Sequence, residues 1–246
     1  MGPDEPTPLI PEEGKKGSDN RMTESAWRDI VLLSFCWIGY FVLHSALASL
    51  LVKRRVAAAW PNLMPYYRLM FNILASLLIL PILWLTYHDA GPMLWRWQGA
   101  AAWLANGLAL AAIFGFWLTF KSYDMQEFLG FRQLQSHVRK VEDQEHFHLS
   151  PFHRFVRHPW YFFGLVLIWT RDMSVTTLLS SVIITLYFIV GSRLEEKKLL
   201  VYHGDTYRRY MARVPGLIPL PWKSLTAEEA EALVKQKKDA GTESSL

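Results

Sequence analysis

The segment LMFNILASLLILPILWLTY, from Leu69 to Tyr87, decides the fold class of this chain, because it is mostly apolar and carries no charged side chain. A helix that crosses a bilayer needs about 20 such residues. Two further segments share this character, Ile30 to Val52 and Ala100 to Phe120. The alternative, a soluble all-α protein, is disfavoured because soluble helices keep a polar stripe that these segments lack. We therefore predict three membrane-spanning helices here.

A fourth apolar stretch, from Tyr161 to Gly191, is too long for one span and too short for two full ones. It is interrupted at Arg171-Asp172. We interpret it as a tight helical hairpin with a short first arm, Pro159 to Thr170, and a second arm, Val175 to Ser192. The predicted fold is an all-α integral membrane protein with five transmembrane helices, the last two a tight hairpin, and with cytoplasmic C-terminal helical segments.

The basic residues of the short loops predict the orientation, because Lys and Arg are retained on the cytoplasmic side. Lys53-Arg54-Arg55 follows the first span without an acid, and the regions after Phe120 and Arg193 are again basic. The N-terminus is then outside and the C-terminus cytoplasmic. The net charge of +4 and the pI near 9.1 suit anionic membrane lipids as partners. No nucleic-acid-binding motif is present, so nucleic acid is not an expected partner.

Composition divides the chain into four regions. Residues 1–23 are rich in Pro, Gly, Glu and Lys without apolar periodicity and are predicted to form a disordered N-terminal tail. Residues 24–120 form the three-helix membrane region, and residues 121–222 contain a cytoplasmic segment, the hairpin and a C-terminal motif. Residues 223–246 form a charged tail in which a helix begins after Thr226. Two short cytoplasmic helices are predicted around Leu134 to Val141 and across Tyr207 to Arg213.

One charged cluster lies directly against the apolar segments, the run Arg157-His158-Pro159-Trp160-Tyr161, closed by Gly164. Proline at the first helical position is pre-organised for a helix start, so a helix is predicted to begin at Pro159. Ionisable groups at a membrane are costly and usually functional. A basic and aromatic membrane anchor would also explain Arg157, Trp160 and Tyr161, but it explains His158 and Gly164 less well.

Glu195-Glu196 follows the hairpin and is the second charged feature. Adjacent helical residues point about 100° apart, so one glutamate can face a cationic ligand, although a solvated helix end is the alternative reading. The histidines of the second half do not have the i, i+4 spacing of helical metal ligands, so no metal site is predicted. They are His146, His148, His153 and His158.

The second half resembles the integral-membrane methyltransferases that include isoprenylcysteine carboxyl methyltransferase and the phospholipid methyltransferases. The resemblance rests on Arg-His-Pro-x-Tyr-x-x-Gly from Arg157, on Glu-Glu-x-x-Leu from Glu195, and on Gly204-x-x-Tyr207-x-x-Tyr210 followed by Val214-Pro215. The first half, with His44-Ser45 and a run from Phe128 to Gln133, is similar to the bacterial branch that contains methanethiol S-methyltransferase and the NnrU-like proteins.

The resemblance implies S-adenosyl-L-methionine as methyl donor, residues 121–222 as the methyltransferase core, and a bacterial cytoplasmic membrane as the location. A carboxylate and aromatic faces suit a cationic donor. The implied cofactor-binding residues are Arg157, His158, Pro159, Trp160, Tyr161 and Glu195.

The acceptor is predicted to be a small apolar molecule that enters from the bilayer, with a thiol such as methanethiol preferred. His153 stands where the isoprenylcysteine branch has Tyr, and this departure disfavours a prenylcysteine. A phospholipid amine, a prenylcysteine carboxylate and a non-catalytic NnrU-like role stay open as alternatives. The candidate catalytic residues are Arg193, His153 and Glu196, and the candidate substrate-binding residues are His44, Arg132, Gln133 and His137.

Overall fold

The computed structural model describes residues 12–88, 91–121, 124–135, 147 and 149–243, with the side chains of residues 12–26 and 237–243 left undescribed. Within these ranges the chain is mostly α-helical. In chain order the helices and strands are α1 (Glu12–Ala48), α2 (Leu50–Ala59), α3 (Met64–His88), β1 (Met93–Trp95), α4 (Gly99–Phe120), α5 (Met125–Leu129), α6 (Phe131–Gln135), α7 (Pro159–Trp169), β2 (Met173–Ser174), α8 (Val175–Arg213) and α9 (Ala227–Glu243), with 3-10 turns at Pro61–Leu63 and Pro151–Arg154.

Four helices are long and apolar enough to cross a bilayer, and their apolar side chains point outward. The candidate spans are Trp27–Ala48, Pro61–His88, Gly99–Phe120 and the apolar part of Val175–Arg213. Phe35 is 70% exposed and Trp103 is 82% exposed, which only an apolar surrounding makes favourable. The chain is therefore an all-α integral membrane protein, as its hydropathy predicts.

α7 is much shorter than these four helices. It has 11 residues, or about 16 Å of helix, which is about half of a bilayer core. It begins at Pro159 with His158 as its N-cap residue and ends at Trp169, close to the predicted bounds. α8 begins at Val175, where the Ser174 hydroxyl accepts a hydrogen bond from the Thr177 amide.

α8 continues far beyond the predicted end at Ser192 and reaches Arg213. Gly204 interrupts it with φ 54° and ψ −130°, a backbone conformation outside the helical region that glycine adopts without steric cost. The residues from Tyr207 to Arg213 thus form the second part of α8, beyond this interruption. The other short helix was predicted around Leu134 to Val141. Only its first residues are described, at the end of α6, because residues 136–146 lie outside the described ranges.

Polar contacts inside the membrane region fix α1, α3 and α8 against each other. The Trp37 indole donates to the Ser180 hydroxyl at 2.8 Å, and Ser180 also contacts the Thr86 hydroxyl at 3.1 Å. α4 packs closely on α7, because a Cβ added to Gly115 would lie 2.4 Å from the Phe163 ring. α8 is therefore attached to α1 and α3, whereas α7 is attached to α4.

The loop between α3 and α4 contacts the turn between α7 and α8. β1 pairs antiparallel with β2, so that Met93 faces Ser174. The Trp97 amide donates to Asp172 Oδ1 at 3.0 Å, and the Trp97 indole donates to the Arg171 carbonyl at 3.2 Å. This end of the molecule lies at the end of α7 opposite His158.

The other end is built around Gly130, which ends α5 with φ 96°. A Cβ on Gly130 would lie 2.7 Å from the Leu69 amide nitrogen, so only glycine fits. Arg68 Nε donates to the Phe128 carbonyl at 3.0 Å, and the Asn72 amide donates to the Phe128 and Leu129 carbonyls. These contacts dock α5 and α6 on the start of α3.

Candidate active site

The start of α7 is held by backbone hydrogen bonds to the segment that follows α8. The Arg157 amide donates to the Pro215 carbonyl at 2.8 Å, and the His158 amide donates to the Gly216 carbonyl at 3.0 Å. Pro159 then begins the helix without an amide donor, as the first position of a helix permits. The motif is therefore fixed against the C-terminal end of α8 before any side chain contributes.

The Arg157 guanidinium is buried and fully engaged with protein groups. Its Nε and Nη2 lie 2.8 and 2.7 Å from Glu196 Oε1, and its Nη1 donates to the Met211 and Val214 carbonyls. The two side chains are only 12% and 11% exposed. Because these contacts join α7 to the end of α8, Arg157 and Glu196 form the internal support of the site.

His158 lies between the two glutamates. Its Nδ1 is 3.3 Å from Glu195 Oε2 and its Nε2 is 3.1 Å from Glu196 Oε1. Burial by itself lowers the pKa of His158, but the hydrogen bonds and charges of Glu195 and Glu196 outweigh burial, so the pKa is raised above its ordinary value. Both ring nitrogens face carboxylates, which is the environment that stabilises an imidazolium.

Glu195 is the accessible carboxylate of the pair. Its side chain is 46% exposed, against 11% for Glu196. The Tyr161 hydroxyl donates to Glu195 Oε2 at 3.4 Å. The sequence left open which glutamate faces a ligand, and the geometry favours Glu195 because Glu196 is occupied by Arg157 and His158.

Tyr161 forms an aromatic wall beside this carboxylate. Its ring stacks with His158, at 5.4 Å and 13°, and with Phe188, at 4.6 Å and 8°. Gly164 admits the Phe188 ring, since a Cβ there would lie 3.0 Å from it. A half-exposed carboxylate beside stacked aromatic rings suits a cationic, partly apolar ligand such as a sulfonium.

A second polar group lies deeper along α8. The Tyr187 hydroxyl is 2.9 Å from His44 Nδ1, and the Ser45 hydroxyl donates to it at 3.4 Å. The Tyr187 ring stacks on Phe41 at 3.8 Å and 5°. His44 and Ser45 belong to α1, so this contact brings the first half of the chain to the same face of α8 as Glu195.

Curated relatives of this chain share one name. The methanethiol S-methyltransferase of Mycobacterium tuberculosis is 30% identical over 78% of this chain and 79% of its own length. The chain belongs to the methanethiol S-methyltransferase family.

Other members of the methanethiol S-methyltransferase family align over similar lengths. Methanethiol S-methyltransferase 1 of Bradyrhizobium diazoefficiens is 28% identical over 86% of this chain and 73% of its own length. The enzyme of Crocosphaera subtropica is 28% identical over 83% and 80%. No family model and no solved structure matches the chain. The predicted resemblance is confirmed, and the chain is a methyltransferase that requires a methyl donor.

In this methanethiol S-methyltransferase family member, Trp160 faces away from Glu195. Its indole donates to the Thr119 hydroxyl at 3.0 Å and its ring contacts Phe120 and Phe128. These partners belong to α4 and α5. Trp160, predicted as a donor-binding residue, thus attaches α7 to the neighbouring helices.

His153, a predicted catalytic residue, is buried in the 3-10 turn before α7. The Ser150 amide donates to its Nδ1 at 3.1 Å, and the Ser150 hydroxyl lies 2.7 Å from the same atom. This capping box satisfies the turn's amides and occupies the Nδ1 atom. Arg193, the other predicted catalytic residue, is exposed on α8. Residues two apart on a helix point about 200° apart, so Arg193 is directed away from Glu195.

Arg132 and Gln133, two further predicted substrate-binding residues, lie on α6. Arg132 pairs with the Asp124 carboxylate beside a depression of about 570 Å³. The Gln133 amide donates to the Glu127 carbonyl at 3.1 Å. His137 lies outside the described residues.

Sequence reasoning missed Tyr187, although its place two helical turns before Glu195 puts both residues on one side of α8.

Proposed function

We propose that this protein transfers a methyl group from S-adenosyl-L-methionine to a small thiol, with methanethiol as the preferred acceptor and dimethyl sulfide as its product. The single observation that carries the proposal is the half-exposed Glu195 carboxylate beside the stacked Tyr161 ring, in a chain whose relatives are named methanethiol S-methyltransferase. Such a pair is suited to a cation that also has apolar surface.

The roles of the donor-site residues follow from their contacts. S-adenosyl-L-methionine supplies a methyl group bound to a cationic sulfur. Glu195 faces this cation, and Tyr161 provides an aromatic face and holds Glu195 through its hydroxyl. His158 orients both glutamates. α7 begins at Pro159, and the ion pair of Arg157 with Glu196 fixes this start. Trp160 fixes the neighbouring face of α7 to Thr119.

The acceptor enters from the bilayer in this proposal. A narrow crevice between α1 and α3 is lined by His44 and by apolar side chains, among them Leu43, Phe71 and Leu74. Leu43 and Leu74 are 42% and 40% exposed on the apolar surface, where a small hydrophobic thiol would dissolve. Methyl transfer is an in-line displacement, so alignment and exclusion of water supply much of the rate enhancement.

We further propose that α7 forms a tight hairpin with α8 and acts as a fifth, incomplete span. Basic residues around Lys53-Arg54-Arg55 support an orientation with the N-terminus outside and the C-terminus in the cytoplasm. The donor site then lies at the cytoplasmic face of a bacterial cytoplasmic membrane. In this arrangement residues 24–120 form the membrane region and residues 121–222 the methyltransferase core.

A two-part experiment tests the function on the full chain purified in detergent. Binding of S-adenosyl-L-methionine is measured by calorimetry for the wild type, for Glu195→Gln and for the exposed control Glu228→Gln. Methyl transfer from labelled donor is then measured with methanethiol, phospholipids bearing amines, and prenylcysteines. We expect Glu195→Gln to lose at least about tenfold in donor affinity, or about 1.4 kcal/mol, whereas Glu228→Gln matches the wild type.

Labelled dimethyl sulfide in the headspace is the expected product. Transfer to phospholipid or prenylcysteine without transfer to thiol would replace the acceptor in this proposal and retain the donor site. Absence of donor binding by the wild type would overturn the proposal altogether.

A further inference from the structure

The Tyr187 hydroxyl is placed between the candidate donor site and His44. Tyr187, Gly191 and Glu195 follow one another at single-turn spacing along one side of α8. The Tyr161 hydroxyl lies beside Gly191, where an added Cβ would be 3.8 Å away, and it donates to Glu195. The polar groups of α1, α7 and α8 thus lie along one side of α8.

The Tyr187 and His44 side chains are fixed in position by their neighbours. The phenol ring is stacked on Phe41, and the imidazole ring lies 5.0 Å from the Phe71 ring. His44 also lines the crevice between α1 and α3 that reaches the apolar surface. The crevice is lined by His44, whose Nδ1 lies 2.9 Å from the Tyr187 hydroxyl, so an acceptor that reaches His44 also lies beside Tyr187.

A thiol acceptor must lose its proton to become a good nucleophile, because the thiolate is the reactive form. Arg157 and Glu196 are bonded to each other, and His153 Nδ1 is bonded to Ser150. His158 faces carboxylates at both ring nitrogens. These contacts occupy the polar atoms of Arg157 and Glu196, the Nδ1 atom of His153 and both ring nitrogens of His158. The His44 and Tyr187 pair occupies the membrane side of the site.

We propose that Tyr187 and His44 form a proton relay for the acceptor thiol, an inference that rests on the proposed function. The thiol S–H bond breaks as its proton passes to the Tyr187 oxygen, while the Tyr187 proton passes to His44 Nδ1. The thiolate sulfur forms the new S–C bond, and the donor sulfur keeps the electron pair of the C–S bond that breaks. One positive charge thereby moves from the donor sulfonium to the imidazolium, which returns its proton to solvent before the next turnover.

The test compares two acceptors of similar size that differ in acidity. A methyl selenol is already ionised at neutral pH, whereas methanethiol is not, so only the thiol requires a proton acceptor. The variants are Tyr187→Phe and His44→Gln. The controls are Tyr87→Phe and His88→Gln, at the C-terminal end of α3. We expect Tyr187→Phe to lower kcat for the thiol by roughly 10²-fold, the usual contribution of general base catalysis, and to leave kcat for the selenol near the wild-type value.

An infrared measurement supplies a readout that does not depend on turnover. The S–H stretching band of methanethiol is recorded with the protein bound to S-adenosylhomocysteine, in a Cys36→Ala background that removes the protein's own thiol. We expect the band to be shifted by hydrogen bonding in the wild type and to return toward the free-thiol frequency in Tyr187→Phe.

Each outcome has a defined meaning. Equal losses with thiol and selenol, or an S–H band unchanged by Tyr187→Phe, would show that the pair only joins α1 to α8 and would overturn the relay while retaining the proposed function. A wild-type protein that methylates no thiol would overturn the proposed function, and the relay with it.

Discussion

The Arg157 guanidinium lies 2.7 Å from the Glu196 carboxylate, and both side chains are almost completely buried. Glu195, the residue directly before Glu196, is instead half exposed. Two identical side chains in adjacent positions therefore have different tasks. Glu196 compensates the charges of Arg157 and His158 inside the protein, whereas Glu195 presents its charge to the site.

Glu196→Gln is therefore expected to lower the free energy of unfolding by about 3 kcal/mol, because it leaves the buried charge of Arg157 uncompensated. Glu195→Gln is expected to change that free energy little. Thermal and denaturant unfolding in detergent would measure both, with Glu228→Gln as the exposed control. Equal destabilisation by the two variants would contradict this division of tasks.

Protonation of His158 predicts a pH dependence of stability. The pKa of His158 is raised in the folded state, because the attraction of Glu195 and Glu196 outweighs burial. Its stabilising contribution is fully present below about pH 6.5, the ordinary pKa of histidine, and is lost as the pH rises through the higher pKa of the folded protein. The melting temperature should therefore fall across this window in the wild type. His158→Gln should remove this component of the slope, whereas His88→Gln should retain it.

Gly130→Ala is expected to destabilise the protein by about 2 kcal/mol or more. The positive φ of 96° is unfavourable for alanine, and the new Cβ would lie 2.7 Å from the Leu69 amide nitrogen. Gly107→Ala is the matched control, because a Cβ there meets nothing within 4 Å and alanine is favoured over glycine in a helix. The two melting temperatures should move in opposite directions, and a shared direction would refute this account of Gly130.

Thr119→Val tests whether Trp160 contacts the donor or only attaches α7 to α4. The substitution removes the acceptor of the Trp160 indole and should cost about 1 to 3 kcal/mol of stability. Donor affinity, measured by calorimetry, should stay near the wild-type value. A large loss of affinity without a loss of stability would return Trp160 to the donor site.

The membrane helices could be predicted from the sequence because hydropathy is a local property. The start at Pro159 follows from proline, the start at Val175 from the interruption at Arg171-Asp172, and the helix after Thr226 from its capping residue. The structure has helices beginning at Pro159, Val175 and Ala227. The helix that begins at Val175 was predicted to end at Ser192, and this end was wrong, because α8 keeps its helical geometry through charged residues as far as Gly204. Apolar length marks the bilayer, not the end of a helix.

The candidate site was less predictable because its contacts join distant parts of the chain. The motif indicated His158, Tyr161 and the glutamates, and these residues do contact one another. The bond between His44 and Tyr187 joins helices at opposite ends of the sequence, and no local pattern reports such a pairing. The burial that separates Glu196 from Glu195 likewise depends on the position of Arg157, which the fold alone provides.

The hydrogen bond between Trp97 and Asp172 has a mechanical consequence for α7. This short helix is tied at one end through Trp97 and the β1 and β2 pairing, and at the other end through the bonds of Arg157 and His158 to the segment after α8. A rigid rod held at both ends cannot tilt about either one. About 12 Å of helix separates Tyr161 from the Trp169 end of α7, so a displacement at the Trp97 tie is transmitted along α7 to the angle at which the aromatic wall meets Glu195.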